Sequence, residues 1–176
     1  MVAKHKTMTK QQQGSDLVAL LRRHQGEIAS VWAEKVHSLL GSRYNQLPLC
    51  EIRASTSRGV AAVIEFLATG SWNTIEAYLM NVSAMCLQMA FDISEVIEAL
   101  SLLKEGAFPI IWRTYPMGST KAYEAVACLD ACLRSVIGRF GHLYAEAMSR
   151  SLRAQQERTA LILDAAKDIY CRFFFK

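Results

Sequence analysis

The chain has 176 residues, of which 52% are hydrophobic and 20% are charged, with nine glycines and three prolines. This length and composition predict a single globular domain and exclude an intrinsically disordered or collagen-like chain. The formal net charge is +4, but Lys4, Lys6 and Lys10 lie in an N-terminal stretch without acidic residues. Without those three lysines the charge is 4 − 3 = +1, a basic surplus too small to predict nucleic-acid binding.

Neither a signal peptide nor a membrane span is predicted. The N-terminus is polar and lacks an apolar segment followed by a cleavage site. The charge-free run from Ala77 to Phe91 is too short and too polar to cross a bilayer. The cysteines are odd in number and lie in apolar patterns, which predicts reduced thiols in the core of a cytoplasmic protein. They are Cys50, Cys86, Cys128, Cys132 and Cys171.

The first part of the chain predicts a polar tail and then a helical segment. Residues 1–14 have no hydrophobic periodicity and are predicted to be disordered. Ser15 and Asp16 are typical of a helix start. The apolar stripe that follows ends at Gly41, where a left-handed residue is favoured. This segment is either one helix with a bend at Gly26 or two helices.

Two further helices are predicted around a turn at Gly70. Pro48 is expected in the first turn of the second helix, where its missing N–H costs nothing. That helix keeps a period of 3.6 until Gly70 stops it. Asn73 and Glu76 have the spacing of a capping pair, so we expect them to cap the third helix.

The start of the fourth helix carries a sharper signal. Asp92 and Glu95 resemble a capping box, and Phe91 and Val96 are placed to form a hydrophobic staple across it. Pro109 lies inside the apolar pattern of this helix. Because its ring removes one hydrogen bond and crowds a carbonyl, we expect Pro109 to kink the helix or to end it at about the preceding residue.

The last third of the chain predicts one helix of unusual length. From Ser119 to about Ile169 there is no proline, and apolar residues recur at spacings of three and four. About 50 residues correspond to about 75 Å at 1.5 Å per residue. We expect the first half to pack in the core and residues 148–176 to project. No stretch alternates with a period of two, so the predicted fold class is all-α.

The projecting half carries a heptad pattern with spacings of four and three, which is typical of a coiled-coil seam. Two seam positions, Gln155 and Thr159, are polar, and such residues weaken a seam while specifying its register. This pattern predicts a parallel homodimer; the alternative is a solvent-exposed amphipathic helix folded back on the body. The seam consists of Met148, Leu152, Gln155, Thr159, Ile162, Ala166, Ile169 and Phe173.

No arrangement of catalytic or cofactor-binding residues is found. The chain lacks a Gly-rich phosphate loop and a Gly-x-Ser-x-Gly elbow. Histidine is missing between Ser38 and Gly141, so a haem globin would have only His142 as a late candidate ligand. Glu34-x-x-His37 matches one arm of a di-iron motif, but the second arm is missing. We expect no enzyme activity, cofactor or metal; the alternative is a haem- or metal-binding helical globin-type protein.

Methionines and aromatic residues cluster in the two central helices. Because methionine adapts to irregular spaces, such a cluster is able to line a cavity for a small apolar ligand. The alternative is a core filled by flexible side chains, since a core requires the same helical spacing. The cluster consists of Met80, Met85, Met89, Phe91, Phe108 and Trp112.

A resemblance to a known family covers most of the chain, from about Asp16 to Asp168. The run from Ile64 to Trp112 reads IEFLATGSWNTIEAYLMNVSAMCLQMAFDISEVIEALSLLKEGAFPIIW, and the long helix ends in LRAQQERTALILDAAKD. Together they resemble the N-terminal sensor domain of RsbR-type stressosome proteins, which is similar to domains of bacterial sensor histidine kinases. The resemblance rests on helix order and on Trp32, Leu67, Gly70, Tyr78, Leu79 and the helix start from Phe91 to Leu100.

The resemblance implies a globin-like helical fold without haem over residues 15–147, which dimerises. It further implies that residues 148–176 pass a signal to an output domain or a protein partner. The chain departs from the family by containing no STAS domain, no phosphoacceptor histidine box and no ATP-binding region. We therefore expect a non-enzymatic bacterial sensor and dimerisation domain, whose signal the sequence does not name.

Overall fold

The computed structural model describes the backbone of residues 10–116 and 118–174 and the side chains of residues 15–116 and 118–167. Within these ranges the chain contains seven α-helices, one short 3-10 helix and no strand, which confirms the all-α prediction. None of the described helices is long and apolar enough to cross a membrane. The elements are α1 (Lys10–Arg23), α2 (Gln25–His37), η1 (Arg43–Gln46), α3 (Leu49–Thr69), α4 (Asn73–Gln88), α5 (Ile93–Ser101), α6 (Leu103–Thr114) and α7 (Thr120–Phe174).

The first predicted segment forms two helices. Helix α1 begins at Lys10, so residues 10–14 of the predicted disordered tail are helical, whereas residues 1–9 lie outside the described part. The break is at His24, whose φ of −108° and ψ of 16° leave the helical region. Gly26, the predicted bend, lies inside α2. A glycine permits a break but does not cause one when its backbone angles stay helical.

The helix ends around Gly70 agree only in part with the prediction. Gly70 ends α3 with a φ of +70°, as expected for a left-handed residue after a helix. Pro48 is the residue before the first turn of α3 rather than part of it. The predicted cap of α4 is wrong, because Asn73 is already helical and Glu76 pairs with Arg139 of α7 at 2.6 Å.

Helix α5 begins with a side-chain cap. Asp92 accepts a hydrogen bond from the backbone N–H of Ser94 at 2.8 Å, which confirms the predicted start. Glu95 does not complete a capping box. Its carboxylate accepts a hydrogen bond from the Ser42 hydroxyl at 3.1 Å and thereby ties the segment before η1 to α5.

The predicted fourth helix is broken at Leu102 into α5 and α6. Pro109 does not end the helix, because α6 continues through it to Thr114. A proline inside a helix costs about 3 kcal/mol. Here Ile110 and Ile111, which directly follow the ring, are both buried, and each buried side chain of this size contributes about 1.5–3 kcal/mol. Core packing therefore offsets the missing hydrogen bond.

One hydrophobic core joins the helices, and α2 lies at its centre against α3 and α6. Gly106 allows α6 to approach α2 closely, since a Cβ atom at that position would lie 2.8 Å from the carbonyl oxygen of Ile28. Trp32 of α2 is buried and donates its indole N–H to the carbonyl oxygen of Ala99 at 2.6 Å. These contacts place α2, α5 and α6 in mutual register.

Helix α7 is a single helix of 55 residues, which confirms the predicted long helix. At 1.5 Å per residue it is about 80 Å long. Its inner face is buried as far as Tyr144, whereas every side chain from Met148 to Lys167 is exposed. Because the helix is unbroken, this second half does not fold back on the body.

The cysteines are divided between the core and the surface. Cys86 and Cys132 are buried, whereas Cys50 and Cys128 are exposed, so the core prediction is wrong for the latter two. Cys128 and Cys132 are one helical turn apart, and the edge of the buried face of α7 runs between them. The side chain of Cys171 lies outside the described residues.

Candidate functional site

An interior cavity lies where α2, α3, α4 and α5 meet. Its volume is about 60 Å³. A site of this size has room for water, but it is smaller than the cavity of about 150 Å³ that is known to bind benzene. The walls are mainly apolar and come from all four helices, with Val36 of α2, Ile52 of α3, Val82 of α4 and Leu100 of α5 as representatives.

A more open groove between α3 and α4 adjoins this cavity and has a volume of about 420 Å³. Arg58 is the only charged residue in its lining, and Ala61 and Ala62 of α3 leave the groove wide because their side chains are small. The cavity and the groove share the lining residues Ser55, Tyr78, Val82 and Met85. These four residues therefore form the boundary between the two spaces.

Tyr78 occupies this boundary with its hydroxyl end against α3. A Cβ atom at Gly59 would lie 2.8 Å from Cζ and Oη of Tyr78 and 2.8 Å from Cζ3 of Trp32. Burial raises the pKa of Tyr78 to about 12, although a hydrogen bond with Ser55 and the charge of Arg58 oppose the shift. Tyr78 is therefore an un-ionised hydroxyl at neutral pH, able both to donate and to accept.

Most other polar groups in the cavity wall are satisfied by the protein. The Trp32 indole N–H is bonded to Ala99, and the Thr56 hydroxyl donates to the carbonyl oxygen of Ala29 at 3.0 Å. Ser55 and Tyr78 differ, because their hydroxyls interact with each other. Since each hydroxyl has one donor and two acceptor sites, this pair retains capacity for a further hydrogen bond.

Tyr44 lines the cavity, and its hydroxyl interacts with the thiol of Cys86 behind the wall. The Tyr44 ring packs on Phe91 with a centroid distance of 4.6 Å. Burial raises the pKa of the Cys86 thiol to about 12 and raises the pKa of Tyr44 well above its ordinary range. Because the thiolate is the reactive form of cysteine, Cys86 is a structural residue rather than a nucleophile.

The predicted methionine and aromatic cluster does not line this cavity as a group. Met85 is the one predicted residue in its lining. Met80 and Met89 are 51% and 40% exposed. They fall on the outer side of α4 because the helix buries only one face, and the sequence pattern did not specify which methionines lie on it.

The three aromatic residues of the predicted cluster also lie elsewhere. Phe91 is buried against Tyr44, and Phe108 is partly buried at the edge of the core. Trp112 is 39% exposed and packs edge-on against Tyr123 of α7 at 5.3 Å. Phe108 and Trp112 lie on α6, which contributes no residue to the lining of the cavity.

Apart from Met85, sequence reasoning missed the residues at the boundary of the cavity and the small residues of α3 beside it. Ser55, Gly59 and Ala62 are spaced by four and three on α3, so they share one helical face. A face of small residues is a recognisable signal for close approach of another element. Trp32 and Tyr78 are the large side chains that use this space.

Helix α4 connects the cavity to α7. It lines the cavity with Tyr78, Val82 and Met85 and also packs along α7. The ion pair of Glu76 with Arg139 spans the α4–α7 contact. Ser83, also on α4, is 2% exposed, and its hydroxyl has no hydrogen-bond partner among the described residues.

The predicted seam on the projecting half of α7 is fully accessible. Leu152 and Ile162 are 54% and 62% exposed, and Ala166 is exposed as well, whereas the side chains of Ile169 and Phe173 lie outside the described part. Leu161 and Leu163 are also exposed, so the apolar surface is wider than the seam.

The two polar residues of the seam are not equivalent. The Thr159 hydroxyl donates to the carbonyl oxygen of Gln155 at 2.9 Å, so this hydroxyl is satisfied within the helix. The amide group of the Gln155 side chain has no such bond in the described structure. A seam contact at Thr159 is therefore less polar than the sequence suggests, and Gln155 is the main polar position.

The same heptad register continues from Met148 towards the body along the outer face of α7. The buried residues Leu129, Leu133, Val136 and Phe140 occupy the opposite face of the helix. A Cβ atom added at Gly138 or Gly141 would have no neighbour within 4 Å, so packing within the chain does not require glycine there. The continued seam consists of Ala127, Ala131, Arg134, Gly138, Gly141 and Ala145.

The candidate metal and haem residues are engaged elsewhere or exposed. No group of three or more His, Cys, Asp or Glu side chains in the described ranges is placed to hold a metal ion. Glu34 pairs with Arg53 at 3.2 Å. His142 has a side chain that is 61% exposed and pairs with Glu146 at 3.2 Å, so it lies outside the core.

Comparison of the chain with protein-family models, with curated proteins and with solved structures finds no match. The family resemblance expected from the sequence therefore remains a prediction. Two features of the chain itself bear on its function: the cavity around Tyr78 and the accessible outer face of α7.

Proposed function

We propose that this chain is a non-enzymatic sensor and dimerisation module that relays a signal through α7 to an output domain or a protein partner. The observation that carries the proposal is the exposed apolar seam on a helix that extends beyond the core. In a parallel homodimer each seam residue meets its own counterpart, so one face supplies both halves of the contact. A cytoplasmic bacterial sensor with a globin-like arrangement is the form that we propose for it.

Packing energies support a contact between two copies. Burial of a leucine or isoleucine side chain contributes about 1.5–3 kcal/mol, and Leu152 and Ile162 are both more than half exposed in the single chain. Towards the body the seam consists mostly of alanine and glycine. Small residues allow two helices to approach closely, which lets the seam contact extend alongside the globular part without a clash between the two bodies.

The cavity is the part of the chain at which we propose that the signal acts. Any change in the contents of the cavity acts directly on Tyr78 and Val82 of α4. Because α4 packs along α7 and is joined to it by the Glu76–Arg139 pair, a displacement of α4 changes the position of α7. Gln155 makes the seam easier to rearrange, since a polar layer weakens a coiled coil.

Light scattering of matched variants tests the dimer. Leu152→Glu combined with Ile162→Glu places like charges at two seam positions, and we expect this variant to be monomeric at a concentration where the natural chain is dimeric. The control is Leu161→Glu, because Leu161 is 72% exposed but lies off the seam; this variant is expected to remain dimeric. An unchanged oligomer in the double variant, or equal dissociation of the control, would rule out this seam.

A further inference from the structure

The spaces around Tyr78 combine the two properties of a small-molecule site. Apolar residues such as Val36, Ile52 and Leu100 line the interior cavity, and two hydroxyls stand at its boundary with the groove. Binding sites for small ligands are typically apolar with a few placed polar groups. Trp32, Thr56 and Tyr44 already have hydrogen-bond partners, and Glu51 is exposed, so these two hydroxyls are the neutral polar groups of the lining that a ligand is able to use.

We propose that this site binds a small uncharged molecule with one hydroxyl group on a short aliphatic body, which places that hydroxyl between Ser55 and Tyr78. The mutual contact of the two protein hydroxyls uses only one of their two protons, and a ligand hydroxyl inserted between them frees that proton as well. A ligand hydroxyl accepts from one of them and donates to the other, and its apolar body occupies the cavity.

The volume of the cavity limits the size of the ligand. At about 60 Å³ the interior space is well below the volume that accommodates benzene. The body that enters therefore has about two or three carbon atoms, as scaled from the six carbons of benzene in about 150 Å³. A larger ligand has to leave its remaining atoms in the groove between α3 and α4.

The charges of the site favour a neutral ligand. The two charged lining residues, Glu51 at the cavity and Arg58 at the groove, both have exposed side chains and opposite signs. The interior contains no counter-charge for an ion, and transfer of an ion into an apolar space without one is strongly unfavourable. Burial raises the pKa of Tyr78 and so keeps its hydroxyl un-ionised, as a neutral hydrogen-bonding ligand requires.

The role of the ligand as a signal rests on the proposed function, whereas binding of the ligand requires only the cavity. A bound molecule separates Tyr78 from Ser55 and thereby alters the contact between α4 and α3. The two proposals therefore fail in different measurements. Light scattering reports on the seam, and a ligand titration reports on the cavity.

The test is a titration with propan-1-ol that follows the indole N–H signals of the three tryptophans by NMR. Trp32 lines the cavity, whereas Trp72 packs on Phe66 and Trp112 packs on Tyr123. We expect a saturable shift of the Trp32 signal alone. For a ligand of so few atoms, the expected dissociation constant is on the order of 1 mM.

Three variants distinguish the groups involved. Tyr78→Phe keeps the ring and removes the hydroxyl, so we expect about tenfold weaker binding from the loss of one hydrogen bond. Ser55→Ala is expected to weaken binding by a similar factor, and it replaces Tyr78→Phe as the test if that variant disturbs the fold. Arg58→Gln is the matched control, since Arg58 lines only the groove, and it is expected to leave the affinity unchanged.

Two results would overturn the inference. A linear, parallel shift of all three indole signals would show a solvent effect without a site. Tighter binding of propanoate, lost in Arg58→Gln, would show that the site selects an anion instead. If the chain binds the alcohol saturably but the seam variants leave its oligomeric state unchanged, the ligand site is supported and the proposed relay through α7 is refuted.

Discussion

Replacement of Gly59 by alanine tests how tightly α2, α3 and α4 meet at the cavity. The new Cβ atom would lie 2.8 Å from both Trp32 and Tyr78. Trp32 has little freedom to move, because it is 3% exposed and its indole N–H is bonded to Ala99 at 2.6 Å. Tyr78 is the side chain that must shift, and its displacement breaks the interaction with Ser55.

Two opposing effects set the magnitude for Gly59→Ala. Alanine is more favourable than glycine inside a helix by about 1 kcal/mol. Overpacking of a filled core typically costs about 1–3 kcal/mol, and the value here lies near the upper end because one of the two obstructing side chains is fixed. We therefore expect a net loss of about 1–2 kcal/mol in the free energy of unfolding.

Urea unfolding at a single protein concentration measures this change, because a dimer makes the apparent stability depend on concentration. The matched control is Gly26→Ala in α2, where no atom lies within 4 Å of the new Cβ and a small gain is expected. The reasoning is refuted if Gly59→Ala is as stable as Gly26→Ala. A changed slope with denaturant would indicate an altered compactness rather than a simple loss of stability.

Two further predictions concern buried hydroxyls. Ser83→Ala is expected to be neutral or stabilising by up to about 1 kcal/mol, because the Ser83 hydroxyl is buried without a partner among the described residues. Thr56→Val is the contrast and is expected to lose about 0.5–1.5 kcal/mol, since it removes the hydrogen bond from the Thr56 hydroxyl to the Ala29 carbonyl; urea unfolding that ranks the two in the opposite order would contradict both. The second prediction follows from the pKa of Tyr78, which is raised from 10.0 to about 12. The unfolded chain loses this proton first, so the contribution of Tyr78 to stability is complete below pH 10 and declines between pH 10 and about 12. Tyr78→Phe should reduce the alkaline slope of stability measured by denaturant unfolding, and an unchanged slope would show that the hydroxyl is not protected.

Helix ends agreed with the sequence where one local residue creates the end. Gly70 adopts a left-handed conformation that glycine favours by itself, and Asp92 caps α5 by accepting a hydrogen bond from the backbone N–H of Ser94. The prediction failed at α4 because Glu76 pairs with Arg139, a residue far away in the chain. Of the two outcomes expected at Pro109, the helix end does not occur, because burial of the following residues maintains the helix; the kink stays a prediction.

The predicted cavity residues show a different reason for failure. Methionine and aromatic side chains indicated that the central helices bury large flexible groups, and Met85 does reach the cavity. The remaining members lie elsewhere because of the orientation of α4 and because α6 lies outside the cavity wall. Neither effect can be predicted from a short stretch of sequence, because both depend on which other helices pack against the stretch.

Periodicity alone was sufficient for the all-α class and for the length of α7, whereas the seam on α7 stays a prediction. In an amphipathic helix the spacing of the apolar residues defines the apolar face, so no other segment is needed to identify that face. The cavity was decided only by the tertiary structure, because Trp32, Ser55 and Tyr78 come from three helices. A hydrophobic pattern indicates that a helix face is buried, but it does not indicate which other helix covers that face. Here the close approach of the helices at Gly59 brings these three side chains together.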